Sequence, residues 1–189
     1  MYKISKQFEC SYSHRVYTQV IYPDLSGGEK THCPCKVCHG HNSTITVELE
    51  GEELNDQGML VDYVNLTFFK KFVDKELDHK TILGLDDPWT IDFINSGREY
   101  KDYILNWDKS NLLPQTVNEM VFYYKVKTPS IRDYHHDITN GLVLVKFVPT
   151  SENLCKWMHE IVSAKLAGIC KVSSVSFSET PKTLATYLG

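Results

Sequence analysis

The side chains best suited to chemistry are crowded into one short stretch, His32–Asn42, with the sequence HCPCKVCHGHN. It contains three cysteines and three histidines, residue types that bind zinc and that act as nucleophiles or proton carriers. Either set can bind a metal, and a free thiol can also react. The secondary-structure elements that position these side chains therefore decide which of them bind a metal and whether a thiol is free to react.

Two predicted strands bring three histidines to one place. In residues 2–14, apolar and polar side chains alternate, and His14 continues the apolar face. In residues 39–49, His39 and His41 extend the apolar face of a second strand. If the two strands are neighbours, the three imidazoles form the ligand set of a catalytic zinc site that keeps one position open. Imidazole nitrogen also suits zinc better than magnesium or calcium, so the pattern favours zinc.

The cysteines leave two other interpretations open. Cys35 and Cys38 form a CxxC motif, which Cys33 and the histidines could complete as a closed structural zinc knuckle. The second CxxC motif of a zinc ribbon is absent. Alternatively, one thiol is reactive and is activated by a base and an acid elsewhere, for which the pair Asp78 and His79 at a predicted helix end is a candidate.

Two helices and a strand complete the predicted framework. The first helix has Asp62 as its N-cap and ends near residues 77–80. The second begins at residues 149–153 and ends at Gly168. It leads into a strand whose apolar face ends in Glu179, an unusual place for a carboxylate.

In the middle of the chain, apolar residues do not recur with a sustained helical or strand period. Residues 81–148 show strand patterns only at 120–127 and 142–148, and we interpret them as an insertion between the two helices. The sequence therefore predicts a single domain over residues 1–189 with an insertion at about 81–148. His135 and His136 are adjacent and would point in opposite directions on a strand, so they are not expected to share a metal.

Composition excludes several classes of function. The chain has 189 residues, is 42% hydrophobic and carries a net charge of −4, so it has no basic field for nucleic acid. No apolar run reaches the roughly eighteen residues of a membrane span, and the first residues lack a signal-peptide core. We expect a cytoplasmic protein with reduced thiols, in which Cys10, Cys155 and Cys170 belong to the core.

Six motifs occur in an order that resembles the 6-pyruvoyltetrahydropterin synthase and 6-carboxytetrahydropterin synthase (QueD) family. The resemblance covers roughly residues 2–80 and 148–188. The motifs are Ser13-His14, Cys35–His41, Gly58–Tyr63, Leu77–His79, Pro149–Leu154 and Ser178–Thr180.

The resemblance implies an α+β architecture, the tunnelling fold. It implies an antiparallel four-stranded sheet with two helices on one face. It also implies that subunits form a ring, commonly a hexamer made of two trimers, with active sites between neighbouring subunits.

The resemblance also implies a role for individual residues. Cys33 remains an alternative catalytic thiol, because animal-type members place the cysteine six positions before the first histidine of HGH. The implied assignments are His14, His39 and His41 as Zn²⁺ ligands, Cys35 as the catalytic thiol, Asp78 and His79 as its partners, and Glu179 as the anchor of the pterin.

The activity implied by the QueD branch is a lyase reaction on 7,8-dihydroneopterin triphosphate. Its product is 6-carboxy-5,6,7,8-tetrahydropterin, with release of acetaldehyde and triphosphate, on the route to 7-deazaguanine compounds such as the queuosine precursor preQ0. The first alternative is 6-pyruvoyltetrahydropterin synthase activity, which eliminates triphosphate and keeps the side-chain carbons. The second is a non-catalytic pterin-binding or structural zinc protein.

Overall fold

The computed structural model describes residues 1–22, 24–26, 33–90, 112–117, 120–126 and 140–189. These residues form one eight-stranded sheet. Its strands are β1 (Tyr2–His14), β2 (His39–Gly51), β3 (Lys80–Gly84), β4 (Leu112–Val117), β5 (Met120–Val126), β6 (Leu142–Val145), β7 (Lys171–Ser178) and β8 (Ala185–Leu188).

The sheet is mixed, with the strand order β4-β5-β6-β3-β1-β2-β7-β8. Strands β1, β2, β7 and β8 are antiparallel neighbours, whereas β3 runs parallel to both β1 and β6. The predicted four-stranded antiparallel sheet is therefore corrected to eight strands. The four-stranded sheet was implied by the resemblance, which covers roughly residues 2–80 and 148–188. The additional strands β3, β4, β5 and β6 lie almost wholly between these ranges, and β3 joins them to β1.

The predicted alternation of β1 and β2 is confirmed. On β1, Phe8, Cys10, Tyr12 and His14 are buried while the residues between them are more exposed. Because β1 and β2 pair antiparallel over their whole lengths, the apolar sides of both strands face the same core.

Both helical segments pack on this apolar face. The first begins with a 3₁₀ turn at Tyr63–Leu66, continues as α1 (Thr67–Phe72) and ends in a π-helical turn at Val73–Leu77. The second is α2 (Ser151–Leu166). Their buried side chains join those of β1, β2 and β7 in one core, as in the edge-to-face contact of Phe8 with Phe69, whose ring centroids are 5.0 Å apart.

The predicted helix boundaries are confirmed by their capping contacts. The Asp62 carboxylate accepts a hydrogen bond of 2.8 Å from the Val64 N–H. The Thr150 hydroxyl oxygen accepts one of 3.3 Å from the Asn153 N–H. Gly168 follows α2 with φ of 77°, a conformation that glycine adopts without a Cβ penalty.

The described parts of segment 81–148 extend the same sheet. Strand patterns predicted at 120–127 and 142–148 correspond to β5 and β6, and a small second core forms around Leu83 and Leu144. His32, His135 and His136 lie outside the described residues. Among the helices that the structure describes, none is long and apolar enough to cross a membrane.

Candidate active site

The end of the β1–β2 ladder brings three imidazoles together. His14 pairs with His39 and Tyr12 pairs with His41, so alternation places the three histidines on one side of two neighbouring strands. One ring nitrogen of each lies within 4.8 Å of one nitrogen of the other two. In the part of the chain that the structure describes, this is the one group of three or more His, Cys, Asp or Glu side chains placed to hold a metal ion.

Two of these histidines contact backbone carbonyls, and these contacts determine which ring nitrogen keeps a free lone pair. The Nδ1 of His14 lies 2.6 Å from the carbonyl oxygen of Pro149, and the Nδ1 of His39 lies 2.8 Å from that of Val37. A carbonyl can only accept, so each Nδ1 carries the proton and each Nε2 keeps its lone pair. The histidines of protein metal sites are commonly oriented by such contacts.

The site fits a metal ion because two of the ligand atoms otherwise lack a partner. The Nε2 atoms of His14 and His41 are buried and make no hydrogen bond in the structure. Burial is the main cause that lowers the pKa of both imidazoles, and it keeps them in the neutral form that binds metals. A buried nitrogen without a partner costs on the order of 1–3 kcal/mol, which a bound cation would remove.

The glycine between His39 and His41 lets the two strands approach closely. A Cβ at Gly40 would lie 3.1 Å from the carbonyl oxygen of Tyr12 on β1. Any larger residue would therefore push β2 away from β1 at the point where the imidazoles converge. This contact gives the spacing of His39-Gly40-His41 a structural cause.

Glu179 lies beside the imidazoles, at the end of β7. Phe177 pairs with Ile45 on β2, so alternation places Glu179 on the same face as the histidines. Its Oε1 is 3.6 Å from the Nε2 of His14, and it accepts a hydrogen bond of 3.3 Å from the Tyr12 hydroxyl. The Glu179 side chain is 20% exposed, against 1% for His14, so the carboxylate opens toward solvent while the imidazole does not.

The structure distinguishes the three thiols near the site. Cys35 is half-buried in a short 3₁₀ turn, and its carbonyl oxygen accepts a 2.8 Å hydrogen bond from the Val16 N–H. Burial is the main cause that raises the pKa of its thiol, and the nearby Cys33 and Glu179 raise it further. Cys33 is buried and its thiol donates to the side-chain oxygen of Gln19 at 2.9 Å.

Cys38 does not join the imidazoles. The pKa of its thiol is raised mainly by burial, while its polar surroundings are Ser13, Arg15 and Asp87. The guanidinium of Arg15 forms an ion pair of 2.9 Å with Asp87 and is therefore already neutralised. No thiol belongs to the described metal-binding group, an arrangement that does not favour the knuckle interpretation.

Asp78 and His79 are brought together beside Ser11, whereas Cys35 contacts Val16, five residues further along the chain. The two Asp78 oxygens contact the Ser11 N–H and the Nδ1 of His79, each at 2.8 Å. The Ser11 N–H is the main cause that holds the pKa of Asp78 below its usual range. Ser11 lies roughly 10 Å from His14 along the extended strand. Asp78 also lines a cleft of about 410 Å³ with Glu9, Ser11, Asn42 and Thr44.

The His79 side chain is exposed apart from its contact with Asp78. Its backbone has φ of 57°, a left-handed conformation that is uncommon for residues with a Cβ, and its side chain is 83% exposed. The π-helical turn at Val73–Leu77 leads directly into this pair. Such turns and strained residues occur often at functional sites.

Sequence reasoning missed Tyr12 and the backbone carbonyl of Pro149. The strand alternation placed Tyr12 on the histidine face but gave no sign of its contact with Glu179, which is 167 residues away. The contact of His14 with Pro149 spans 135 residues and involves a carbonyl that every residue type carries. A side-chain pattern cannot reveal a backbone ligand of this kind.

Comparisons with known proteins point to one family. A family model described as 6-pyruvoyl tetrahydropterin synthase matches residues 3–189. The 6-carboxy-5,6,7,8-tetrahydropterin synthase of Aquifex aeolicus is 25% identical, with 98% of this chain and 97% of the relative covered. The human 6-pyruvoyl tetrahydrobiopterin synthase is 28% identical over 76% of this chain and 90% of its own. The crystal structure of an uncharacterized protein from Wolinella succinogenes superposes with a TM-score of 0.85 at 33% identity, covering 99% of this chain and 97% of that one.

Proposed function

Because the chain belongs to the 6-pyruvoyl tetrahydropterin synthase family of lyases, we propose that it converts 7,8-dihydroneopterin triphosphate to 6-carboxy-5,6,7,8-tetrahydropterin in a zinc-dependent reaction. The reaction consumes one water molecule, releases acetaldehyde and triphosphate, and belongs to 7-deazaguanine synthesis. The observation that carries the proposal is the group of three converging imidazoles with Glu179 beside it. The similarity to the Aquifex aeolicus relative over nearly the whole of both chains supports the carboxy product.

His14, His39 and His41 hold the zinc ion in this proposal. The partnerless Nε2 atoms of His14 and His41 support the assignment, as does the absence of thiols from the described group. Bound zinc supplies a Lewis acid that lowers the pKa of the substrate hydroxyls and stabilises negative charge on their oxygens. An imidazole set without thiolates is typical of catalytic rather than structural zinc.

Glu179 binds the pterin ring through its carboxylate. Two neighbouring N–H groups at the edge of the ring match the two carboxylate oxygens, and such paired bonds to a charged acceptor are strong. The half-buried position of Glu179 supports this role, because a charge in such a place is stabilised when a donor edge covers it.

Cys35 is the general base at the side-chain carbon of the substrate. It is more accessible than Cys33, whose thiol is buried and bonded to Gln19. The raised pKa of Cys35 means that its thiol must be activated before it can accept a proton. In this proposal the activating and second proton-transfer groups are Asp78 and His79.

These two partners come from another copy of the chain. Within one chain Asp78 and His79 contact each other and Ser11, and the His79 imidazole faces outward. A homo-oligomer, a hexamer of two trimers, would place this exposed pair against the Cys35 of a neighbour. An active site between subunits would therefore give the exposed Asp78–His79 pair a catalytic role toward the Cys35 of a neighbouring chain.

Product analysis by mass spectrometry tests the reaction. The zinc-loaded protein is incubated with 7,8-dihydroneopterin triphosphate beside the variants Cys35→Ala and Cys33→Ala. Cys170→Ala is a matched control, because Cys170 is a half-buried thiol that contacts the Glu50 carbonyl at the other end of the sheet. We expect a carboxytetrahydropterin that only Cys35→Ala abolishes. A pyruvoyl product would instead assign the sister activity, and no product from the folded zinc form would support a non-catalytic pterin-binding role.

Subunit mixing tests where the site lies. Cys35→Ala and Asp78→Asn are each expected to be inactive alone. If sites lie between subunits, random mixing of the two variants restores an intact combination at about one quarter of the interfaces. Activity that stays at the level of the single variants after refolding together would place the whole site within one chain and contradict this part of the proposal.

The sister reaction, 6-pyruvoyltetrahydropterin synthase activity, is the second candidate. The similarity to the human enzyme favours it, although the coverage of this chain is smaller than for the Aquifex aeolicus relative. The same product analysis separates the two, because one reaction removes two side-chain carbons as acetaldehyde and the other keeps them.

A further inference from the structure

Glu179 lies close enough to the imidazoles to compete for the metal. A carboxylate is itself a good zinc ligand, and two ligands of a tetrahedral zinc ion lie roughly 3.4 Å apart. The Oε1 of Glu179 is 3.6 Å from the Nε2 of His14, yet Glu179 is not part of the group whose ligand atoms all lie within 4.8 Å. A neighbouring group must therefore keep this carboxylate close to the metal position and prevent it from becoming a metal ligand.

The Tyr12 hydroxyl is placed to restrain the Glu179 carboxylate. It donates its hydrogen bond to Oε1, the same oxygen that approaches His14. A phenol that donates to a carboxylate oxygen occupies a lone pair that would otherwise bind a cation.

The ring that carries this hydroxyl is fixed. Tyr12 is 4% exposed, and its ring centroid lies 5.1 Å from that of His14, 5.9 Å from that of His41 and 5.5 Å from that of Phe177. Tyr12 also pairs with His41 in the β1–β2 ladder, so its backbone position is set by the same register that positions the ligands. The hydroxyl therefore has little freedom to follow Glu179 if the carboxylate moves.

We propose that Tyr12 is a positioning residue that holds the Glu179 carboxylate toward the substrate and off the metal. The hydrogen bond keeps the fourth coordination position open. It also leaves the second lone pair of Oε1 and both lone pairs of Oε2 free to accept hydrogen bonds from the ligand. The identity of that ligand as a pterin rests on the function proposed above, whereas the effect on the metal does not.

The test replaces Tyr12 by phenylalanine, which keeps the ring and removes only the hydroxyl. The protein is loaded with Co²⁺ in place of Zn²⁺, because the visible absorption of cobalt reports its ligands. In Tyr12→Phe we expect Glu179 to move onto the metal. The absorption bands should then shift. Azide binds to an open coordination position, so the azide concentration needed to change the spectrum should rise about tenfold, which corresponds to a loss of about 1.4 kcal/mol in azide binding.

Two further variants show whether Glu179 causes the change. In the double variant Tyr12→Phe/Glu179→Gln, the cobalt spectrum and the azide response should return to those of the unsubstituted protein. Glu179→Gln alone should leave the cobalt bands in place, since Glu179 is not a ligand when Tyr12 is present. If Tyr12→Phe fails to fold, a shift caused by Glu179→Gln alone still overturns the proposal.

Tyr123→Phe is the matched control for the loss of a buried phenol. Tyr123 is 7% exposed, and its hydroxyl contacts Glu76 on the first helical segment. This variant removes the same atom from a similar tyrosine–glutamate pair remote from the imidazoles. It should leave the cobalt spectrum and the azide titration unchanged, so a general loss of packing cannot imitate the expected result.

A binding measurement with 7,8-dihydroneopterin separates the two proposals. We expect Tyr12→Phe to weaken its affinity by about tenfold, because Glu179 is then engaged by the metal. If the unsubstituted protein does not bind this pterin while the cobalt spectra differ as expected, the proposed function fails and the positioning role stands. If the cobalt spectrum and azide response of Tyr12→Phe equal those of the unsubstituted protein, the positioning role is refuted.

Discussion

Replacing His14 by leucine should remove zinc-dependent stability and leave the metal-free protein nearly unchanged. Leucine is apolar and of similar size, so it fills the buried site without a ligand atom. The substitution removes the Nδ1 contact with Pro149 and leaves that buried carbonyl without its partner, a loss of about 1–3 kcal/mol. It also removes the buried Nε2 that has no partner, a gain of about 1–3 kcal/mol.

These two effects oppose each other in the metal-free state, so its free energy of unfolding should change by no more than about 2 kcal/mol. The zinc-bound state differs. Zinc at one hundred times its Kd stabilises a protein by about 2.7 kcal/mol. For a domain of this size, that corresponds to a rise in Tm of about 5–11 °C, which His14→Leu should lose.

Thermal unfolding measured with and without zinc provides the assay, at a zinc concentration fixed for all variants. His159→Leu is a matched control, because His159 is also buried. Its Nε2 lies 3.1 Å from the Val172 carbonyl oxygen and its Nδ1 lies 3.4 Å from the Ser163 hydroxyl. The control should lower Tm in both conditions yet keep the increase on zinc addition.

An increase in Tm on zinc addition that is as large in His14→Leu as in the unsubstituted protein would refute the assignment of His14 as a ligand. A metal-free variant destabilised by several kcal/mol would show that the buried Nε2 without a hydrogen bond is not a cost in the metal-free state.

Two further predictions concern Asp78 and Gly40. The pKa of Asp78 is held below its ordinary value of 3.8, chiefly by the Ser11 N–H, so its contribution to stability is present above that pH and lost as pH falls through the lowered value. Asp78→Asn should therefore reduce the acid-induced decrease in urea midpoint, and superimposable pH profiles would contradict this. Gly40→Ala should weaken zinc affinity by about tenfold, because its Cβ would lie 3.1 Å from the Tyr12 carbonyl oxygen, and an unchanged zinc titration would argue against that contact.

The elements that carry the three converging imidazoles could be predicted because their signal is local. Alternation along β1 and β2 placed His14, His39 and His41 on apolar faces, and the ladder between these strands then brought them together. The same alternation placed Glu179 on the histidine face of β7. Strand period alone decides on which face each of these four residues lies, although not at what distance.

The rest of the sheet could not be predicted, because its pairing is set by contacts between distant residues. β3 joins β1 at Tyr12–His14 and joins β6 at Leu142–Val145 on its other side, and neither pairing has a counterpart in the local pattern. Likewise, the contact of Tyr12 with Glu179 depends on the final packing of β1 beside β2 and β7.

The adjacency of Asp78 and His79 was visible in the sequence, but the contact of the pair with Ser11 was not. The direction of the pair is set by a hydrogen bond to Ser11 and by the left-handed backbone at His79. Both are consequences of how the first helical segment meets β1, which a sequence pattern does not specify.

X-ray absorption spectroscopy of the zinc-loaded protein tests the central claim most directly. If three imidazoles hold the metal and one position is open, the zinc should have nitrogen and oxygen neighbours at about 2.0–2.1 Å and no sulfur neighbour. A sulfur neighbour at about 2.3 Å would show that the cysteines of the His32–Asn42 stretch bind the metal, and it would contradict the assignment of His14, His39 and His41 as an open catalytic site.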